Sequence, residues 1–252
     1  ARSGFKPLLV DQHDFPRDKV CGDGLIPDAH TAFGRMVVYG EGMKHAKSLP
    51  HVACIAPNGG RVDVPGRVAV LPRAVLDDIL RRAAIDDGAH WLAPARFEAP
   101  LQDSQQRVCG ARLLVNGRPH EVLAQWVVLA TGAVPAALIA AGVCERRTPS
   151  GVAMRTYVRN PKMKERISGL EVLWHKKLSK GYGWIFPCPD GLYNIGVGLA
   201  HSHTAKDGEG AMADVNLREM FERFCAVYPV AKELMATGEQ LGPLKGAPLR
   251  CS

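Results

Sequence analysis

Apolar residues recur along the chain at helical spacing in some stretches and as short continuous runs in others. The clearest helical spacing covers residues 73–87, and Gly88 follows it as a stop signal. Asn-Gly-Gly at 58–60 and Asn-Gly at 116–117 separate apolar runs, which predicts two β-hairpins. The pattern predicts helices at 27–36, 73–87 and 215–228, and strands at 6–11, 52–57, 61–64, 68–71, from 91 onward, 108–115, 120–129, 152–158, 170–175, 182–186 and 193–199.

The order of predicted elements changes near Thr148, from a βαβ-like order before it to a series of strand-like runs after it. Residues 1–4 resemble the last turn of a helix closed by a glycine, and a buried strand ending in Asp11 follows. This order is typical of the second half of a βαβ unit, so we expect the first half and its glycine fingerprint to lie outside the chain. After Thr148 the four strand-like runs predict an antiparallel sheet.

The predicted fold is therefore α/β (α+β) with two domains. An incomplete Rossmann-type domain is expected over residues 1–148, interrupted by a substrate-side hairpin near 50–66. An antiparallel-sheet domain that carries the substrate site is expected over residues 149–252.

Composition excludes several classes of protein. The 252 residues are 46% hydrophobic and 23% charged, which is ordinary for a globular protein with its own core. The sequence contains no apolar run long enough to span a membrane. Seven cysteines without a C-x-x-C pair indicate a reducing cytoplasm rather than a disulfide or zinc framework. His201 and His203 lack a third ligand at suitable spacing, so no metal site is predicted.

The charge balance narrows the choice of partners. Lys and Arg number 32 against 25 Asp and Glu, for a net charge of +7. Such an excess favours phosphate-bearing ligands or an anionic membrane surface. The densest basic cluster lacks the interleaved aromatic residues of a single-strand binder, so no nucleic-acid partner is expected. The cluster comprises Lys162, Lys164, Arg166, Lys176, Lys177 and Lys180.

Three segments carry residues suited to a cofactor and an apolar ligand. Asp11 ends a strand where an acid can accept the ribose hydroxyls of a dinucleotide, and the glycine-containing loop from 21 to 24 permits close backbone approach. Arg73 opens a helix against the macrodipole, which suggests an anionic ligand. Tyr182, Trp184 and Phe186 share one face of a strand, as core residues or as the wall of an apolar pocket.

In this order and at these spacings, the segments resemble the geranylgeranyl reductase family. The resemblance rests on Asp11, Phe-Pro-Arg-Asp-Lys-x-Cys-Gly at 15–22, Pro-Arg-x-x-Leu-Asp at 72–77 and Tyr-x-Trp-x-Phe-Pro at 182–187. The family belongs to the flavoprotein superfamily that includes para-hydroxybenzoate hydroxylase and the flavin-dependent halogenases. The resemblance implies an FAD-binding domain and hydride transfer from reduced flavin to carbon–carbon double bonds of a prenyl substrate, with NAD(P)H as electron donor.

The resemblance also implies roles for individual residues. Cys21 and Tyr182 are the candidate catalytic residues because an unactivated alkene needs a proton. Tyr182, Trp184 and Phe186 would line the isoprenoid pocket. The candidate cofactor-binding residues are Asp11, Arg17, Lys19, Cys21, Gly22, Arg73, Thr131 and Gly132.

The chain departs from the family pattern in two visible places. Ala-Thr-Gly at 130–132 stands where the family has Ala-Asp-Gly, and Cys188 stands where a lysine is common. Two alternative functions stay open at this stage. One is a flavin monooxygenase or halogenase acting on an aromatic substrate, and the other is a non-catalytic fragment that lacks both glycine motifs.

Overall fold

The structure is a computed structural model that describes residues 1–145, 149–178, 181–200 and 216–249. Residues Lys180, His201, His203 and Cys251, together with the start of the predicted helix at Val215, lie outside the described residues. The strands are β1 (Leu8–Val10), β2 (Gly24–Leu25), β3 (Lys47–Ile55), β4 (Arg61–Val70), β5 (His90–Leu92), β6 (Ala95–Gln102), β7 (Val108–Val115), β8 (Arg118–Leu123), β9 (Gly151–Arg159), β10 (Leu170–Trp174), β11 (Tyr182–Pro187), β12 (Leu192–Ala200) and β13 (Glu239–Leu249). The helices are α1 (Pro27–Arg35), α2 (Tyr39–His45), α3 (Arg73–Asp86), α4 (Ala136–Ala140), α5 (Leu217–Val227) and α6 (Pro229–Thr237).

The chain forms two compact units. The first unit contains residues 1–17 and 80–149, and the second contains 18–79 and 150–251. The predicted division at residue 148 is therefore wrong in one respect. The whole of residues 18–79, rather than a hairpin near 50–66 alone, packs with the C-terminal half of the chain.

The first unit contains two small sheets. Strands β1 and β5 pair in parallel, with Leu9 opposite Trp91. Strands β6, β7 and β8 form an antiparallel meander. Parallel pairing of short strands is the arrangement that a Rossmann-type unit requires, and it places the residue after β1 at a carboxyl end.

Two strand predictions in the first unit are corrected. The strand predicted at 6–11 covers only Leu8–Val10, and Leu8 and Val10 are each 37% exposed rather than buried. The strand predicted at 120–129 ends at Leu123, and Trp126 and Val128 are more than four-fifths exposed. An apolar run in the sequence forms a strand only where a partner strand lies beside it, and the run itself does not show whether a partner is present. Residues 1–4 form a hydrogen-bonded turn rather than the end of a helix.

The second unit is built on one eight-stranded sheet. Its strand order is β13-β9-β12-β11-β10-β3-β4-β2. The predicted antiparallel sheet is confirmed for β9 to β12, but β3 joins it in parallel with β10. The predicted strands at 61–64 and 68–71 are one continuous strand, β4, which pairs with β3 as the predicted hairpin.

The core of the second unit lies on the sheet face covered by α5 and α6. Ile185, Ile195 and Val197 are fully buried there against Phe224 of α5. Only glycine fits at position 183, because a Cβ there would lie 2.3 Å from the Phe224 ring. Alternation along β11 therefore sends Tyr182, Trp184 and Phe186 to the opposite face of the sheet.

Within the described ranges, no helix is long and apolar enough to span a membrane. Nor does any group of three or more metal-ligating side chains in that part of the chain have the proximity needed to hold a metal ion.

Candidate functional site

Three aromatic side chains form a stripe along β11. The ring centroids of Tyr182 and Trp184 lie 5.9 Å apart, and those of Trp184 and Phe186 lie 6.3 Å apart. On the adjacent strand β12, Gly196 pairs with Trp184 and Gly198 pairs with Tyr182. A Cβ at Gly196 would lie 2.4 Å from the Trp184 ring, so the glycine lets the indole lie across β12. We call Tyr182, Trp184 and Phe186 the aromatic stripe.

The loop that carries Cys21 packs on the aromatic stripe. A Cβ on Gly22 would lie 3.0 Å from Cε2 of Phe186, and one on Gly24 would lie 3.4 Å from the same atom. The sequence predicts that Gly22 permits close approach by a cofactor. In the structure, the atoms close to Gly22 belong to Phe186 and Trp184.

Asp23 is the polar centre of this loop. Its side chain is 1% exposed, and it adopts a positive φ of 64°. Oδ2 accepts hydrogen bonds from the Tyr157 hydroxyl at 2.5 Å and from Asn194 Nδ2 at 2.8 Å. Oδ1 accepts one from the Arg73 backbone N–H at 3.3 Å. Three donors from three separate segments therefore hold one buried carboxylate.

Asn194 connects the loop to the aromatic stripe. Nδ2 donates to the Cys21 carbonyl oxygen at 2.7 Å as well as to Asp23, and Oδ1 accepts from Trp184 Nε1 at 3.0 Å. Asn194 is fully buried. Since the indole N–H can only donate, the orientation of the amide is fixed by its partners.

Arg155 anchors the start of the loop. Its guanidinium, in a residue 2% exposed, donates to Oδ1 of Asp18 at 2.5 Å and to the Lys19 carbonyl oxygen at 3.2 Å. It also lies 4.2 Å from the centroid of the Tyr157 ring. Lys245 donates to the other oxygen of Asp18 at 2.7 Å.

Burial and charge shift the pKa values of several groups in this region. Burial raises the pKa of Asp23, although the hydrogen bonds from Tyr157 and Asn194 oppose that shift. Burial and the neighbouring carboxylate of Asp23 raise the pKa of the Tyr157 hydroxyl well above its usual range. The same two causes raise the pKa of the Cys188 thiol, which is therefore held in its neutral form.

Arg73 lies at the start of α3, where its backbone N–H contacts Asp23 of the loop. Its guanidinium forms two hydrogen bonds to Asp77, at 2.7 Å and 3.0 Å. Burial alone would lower its pKa, but Asp77 and the Cys21 side chain raise it. The positive charge at this helix start is thus compensated by Asp77.

In the first unit, Asp11 follows β1 at the carboxyl end of the parallel pair. Arg17 donates to its Oδ2 at 3.0 Å, and the backbone N–H of His13 donates to Oδ1 at 2.9 Å. The Arg17 guanidinium also lies 4.7 Å from the centroid of the Phe15 ring. Thr131 and Gly132 lie in an exposed turn, where Gly132 has a φ of 75°.

The predicted site residues thus divide between the two units. Within the second unit the structure brings together Cys21, Gly22, Arg73 and the aromatic stripe, with Lys19 contributing its carbonyl oxygen. Asp11, Arg17, Thr131 and Gly132 lie in the first unit.

Four residues that hold the loop in place are not among the site residues predicted from the sequence. A signal was available for two of them, because Arg155 and Asn194 place a polar side chain within an otherwise apolar strand-like run, where a buried polar group needs a partner. The four residues are Asp23, Arg155, Tyr157 and Asn194.

Comparison with known proteins shows which proteins the chain is similar to. No family model matches the chain. The chain is 33% identical over 209 residues to a menaquinone reductase of Mycolicibacterium smegmatis, covering 79% of this chain and 50% of the relative. It is 30% identical over 164 residues to digeranylgeranylglycerophospholipid reductase 2 of Methanopyrus kandleri, covering 63% of this chain and 40% of the relative. The chain is thus similar to reductases that are named for menaquinone and for a digeranylgeranyl lipid.

The chain spans about half the length of the curated relatives it matches. Solved structures share its fold. A geranylgeranyl bacteriochlorophyll reductase-like protein from Thermoplasma acidophilum matches with a TM-score of 0.78 at 18% identity, over 98% of this chain and 61% of the other. A flavin-dependent brominase matches with a TM-score of 0.78 at 19% identity, over 98% of this chain and 62% of the other.

Proposed function

We propose that the protein is an FAD-dependent reductase of carbon–carbon double bonds in a prenyl substrate. The observation that carries the proposal is the packing of the Cys21 loop on the aromatic stripe, because Gly22, the residue next to Cys21, then lies against Phe186 of an apolar wall. The names of the two relatives refer to menaquinone and to a digeranylgeranyl lipid, and both molecules carry isoprenoid chains.

The residues of the first unit fit a dinucleotide. Asp11 follows a strand of a parallel pair, which is where a carboxylate accepts ribose hydroxyl groups. Arg17 is within hydrogen-bond distance of Asp11 and would neutralise the carboxylate or contact the adenosine side. FAD, when bound, would supply the hydride, and NAD(P)H is the electron donor that we propose.

The residues of the second unit would hold the substrate and supply the proton. Tyr182, Trp184 and Phe186 would contact the apolar chain and exclude water from it. Cys21 and Tyr182 are the two groups proposed to deliver or relay a proton to the alkene carbon. The net charge of +7 would favour a phosphate-bearing cofactor and a substrate that resides at an anionic membrane surface.

The test is an anaerobic turnover assay with chemically reduced flavin and a geranylgeranyl lipid, analysed by mass spectrometry. We expect the product to gain two hydrogens for each double bond that is reduced. Cys21→Ala should slow the reaction, whereas Cys109→Ala, on β7 of the first unit, should not. Absence of product from the wild-type protein, with flavin bound, would overturn the proposal.

A flavin monooxygenase or halogenase is the competing function. The brominase matches the fold as closely as the reductase-like protein does, so the fold does not separate the two. Oxygen consumption separates them, because a monooxygenase or halogenase consumes oxygen during substrate turnover and the proposed reductase does not. A colourless protein that does not retain added flavin would favour the non-catalytic alternative.

A further inference from the structure

The buried amide of Asn194 makes a hydrogen-bond pattern that the proposed chemistry does not by itself explain. Its two donors go to the Cys21 carbonyl and the Asp23 carboxylate, and its acceptor receives the indole N–H of Trp184. One side chain thereby joins the loop that carries Cys21 to the middle ring of the aromatic stripe. The rest of β12 near it is apolar or glycine.

No other side chain of similar size satisfies these three partners. Aspartate has no donor for the Cys21 carbonyl and would place a second negative charge against Asp23. Leucine would leave the Trp184 N–H, the Cys21 carbonyl and one oxygen of Asp23 without this partner in a buried region, and each such loss is costly. The residue at 194 must present two donors and one acceptor in a fixed arrangement.

We propose that Asn194 is a positioning residue that fixes Cys21 relative to Trp184, and so sets the distance between the proton source and the apolar wall of the substrate site. This inference rests on the proposed function for its chemical meaning. The positioning of Cys21 by Asn194 does not depend on the proposed function, because it concerns only the loop and the aromatic stripe.

The geometry indicates that Asn194 acts on the position of Cys21 within the loop rather than on the stability of the whole fold. Arg155 already anchors the loop at Asp18 and Lys19, and Tyr157 anchors it at Asp23. The hydrogen bond from Nδ2 of Asn194, in contrast, reaches the backbone of Cys21 itself. Loss of the Asn194 side chain should therefore release Cys21 while the loop ends stay attached.

The test uses Asn194→Ala and Asn194→Asp, with Asn160→Ala as the matched control. Asn160 is also a buried asparagine, 4% exposed, and it donates to Thr237 at 2.8 Å away from the loop. The first readout is the rate at which iodoacetamide alkylates Cys21, measured by peptide mass spectrometry against Cys225 and Cys109 in the same molecule. Cys225 is a suitable reference because burial raises the pKa of its thiol to about 11.

We expect both Asn194 variants to raise the alkylation rate of Cys21 about tenfold, which corresponds to losing about 1.4 kcal/mol of local protection. The rates at Cys225 and Cys109 should stay at wild-type values, and Asn160→Ala should change none of the three. Equal rates at Cys21 in wild type and Asn194→Ala would overturn the proposal. A parallel rise at all three cysteines would do so as well, because it indicates global loosening.

If the Asn194 variants fail to fold, Trp184→Phe provides the second route. It removes the indole donor while leaving both donors of Asn194, so we expect a smaller rise in Cys21 alkylation, about threefold. An unchanged rate in Trp184→Phe would contradict the coupling of loop and stripe through Asn194.

A kinetic readout separates this inference from the proposed function. With a prenyl substrate, Asn194→Ala should lower kcat about tenfold and leave KM within about twofold, because the stripe itself is intact. If the wild-type protein yields no reduced product but Cys21 alkylation responds as expected, the reductase proposal fails and the positioning role stands. If product forms and kcat is unchanged in Asn194→Ala, the positioning role is wrong.

Discussion

The hydroxyl of Tyr157 donates a 2.5 Å hydrogen bond to Oδ2 of Asp23 and so attaches the Cys21 loop to strand β9. Tyr157→Phe removes this donor and leaves a buried carboxylate with one partner fewer. We expect the free energy of unfolding to fall by about 1–3 kcal/mol, measured by urea denaturation.

Tyr193→Phe is the control for that measurement. Tyr193 is 2% exposed, and no hydrogen bond of its hydroxyl occurs among the described residues. Removing its hydroxyl should change the free energy of unfolding by less than about 0.5 kcal/mol. Equal losses of unfolding free energy in the two variants would show that the hydrogen bond to Asp23 does not stabilise the fold.

Gly22→Ala tests the close packing of the loop on Phe186. The added Cβ would lie 3.0 Å from Cε2 of Phe186, so either the ring or the loop must move. We expect a loss of about 1–3 kcal/mol in the free energy of unfolding. Phe186→Leu in the same chain should recover part of that loss, because the smaller side chain leaves room for the methyl group.

Gly34→Ala is the matched substitution in open space. No atom lies within 4 Å of a Cβ at Gly34, which is inside helix α1. Alanine there should stabilise the protein by about 0.5–1 kcal/mol through helix propensity. Destabilisation by both glycine substitutions would contradict a steric explanation for Gly22.

The pH dependence of stability should contain a component from Asp18. Burial alone would raise the pKa of Asp18, but hydrogen bonds from Lys245 and Arg155 lower it below its ordinary value. A carboxyl group with a lowered folded pKa stabilises the folded state above its ordinary pKa and loses that effect as pH falls through the folded value. Urea titrations between about pH 6 and about pH 3 should show a shallower decline for Asp18→Asn than for wild type. Identical slopes would be inconsistent with this account.

A second buried carboxylate lies on the helix-covered face of the sheet. Glu171 is 1% exposed and accepts hydrogen bonds from the Tyr228 hydroxyl at 2.7 Å and from Arg61 at 3.1 Å. Arg61→Ala should lower the free energy of unfolding by about 1–3 kcal/mol, since Glu171 stays buried with one partner. Arg223→Ala, which breaks the exposed pair with Glu219, should cost less than about 0.5 kcal/mol. Similar costs would argue against a structural role for Glu171.

Local sequence patterns predict those elements whose signal, periodicity or a turn sequence, lies within the element itself. The helix at Arg73–Asp86 and the hairpin around 58–60 follow from periodicity and turn residues, and both are confirmed. The pattern missed β13, whose Pro243 and Pro248 are typical of loops. The strand is possible because it lies at the edge of the sheet, where proline costs no ladder hydrogen bond on the outer side.

The polar contacts of the candidate site depend on pairing between distant segments. Asn194 meets Cys21 only because β12 lies beside β11 in the sheet and the loop at 18–24 folds onto that face. Sequence spacing carries no information about such a contact. The aromatic stripe was predicted because alternation along one strand is local.

Photo-cross-linking would show directly where a prenyl chain binds on the protein. A geranylgeranyl analogue that carries a photoreactive group would be cross-linked to the protein, and the labelled peptides would be identified by mass spectrometry. We expect labelling of the aromatic stripe and of residues 21–24, and we expect unmodified geranylgeranyl lipid to compete with it. Labelling confined to the exposed apolar residues of the first unit, such as Trp126 and Val128, would contradict this expectation.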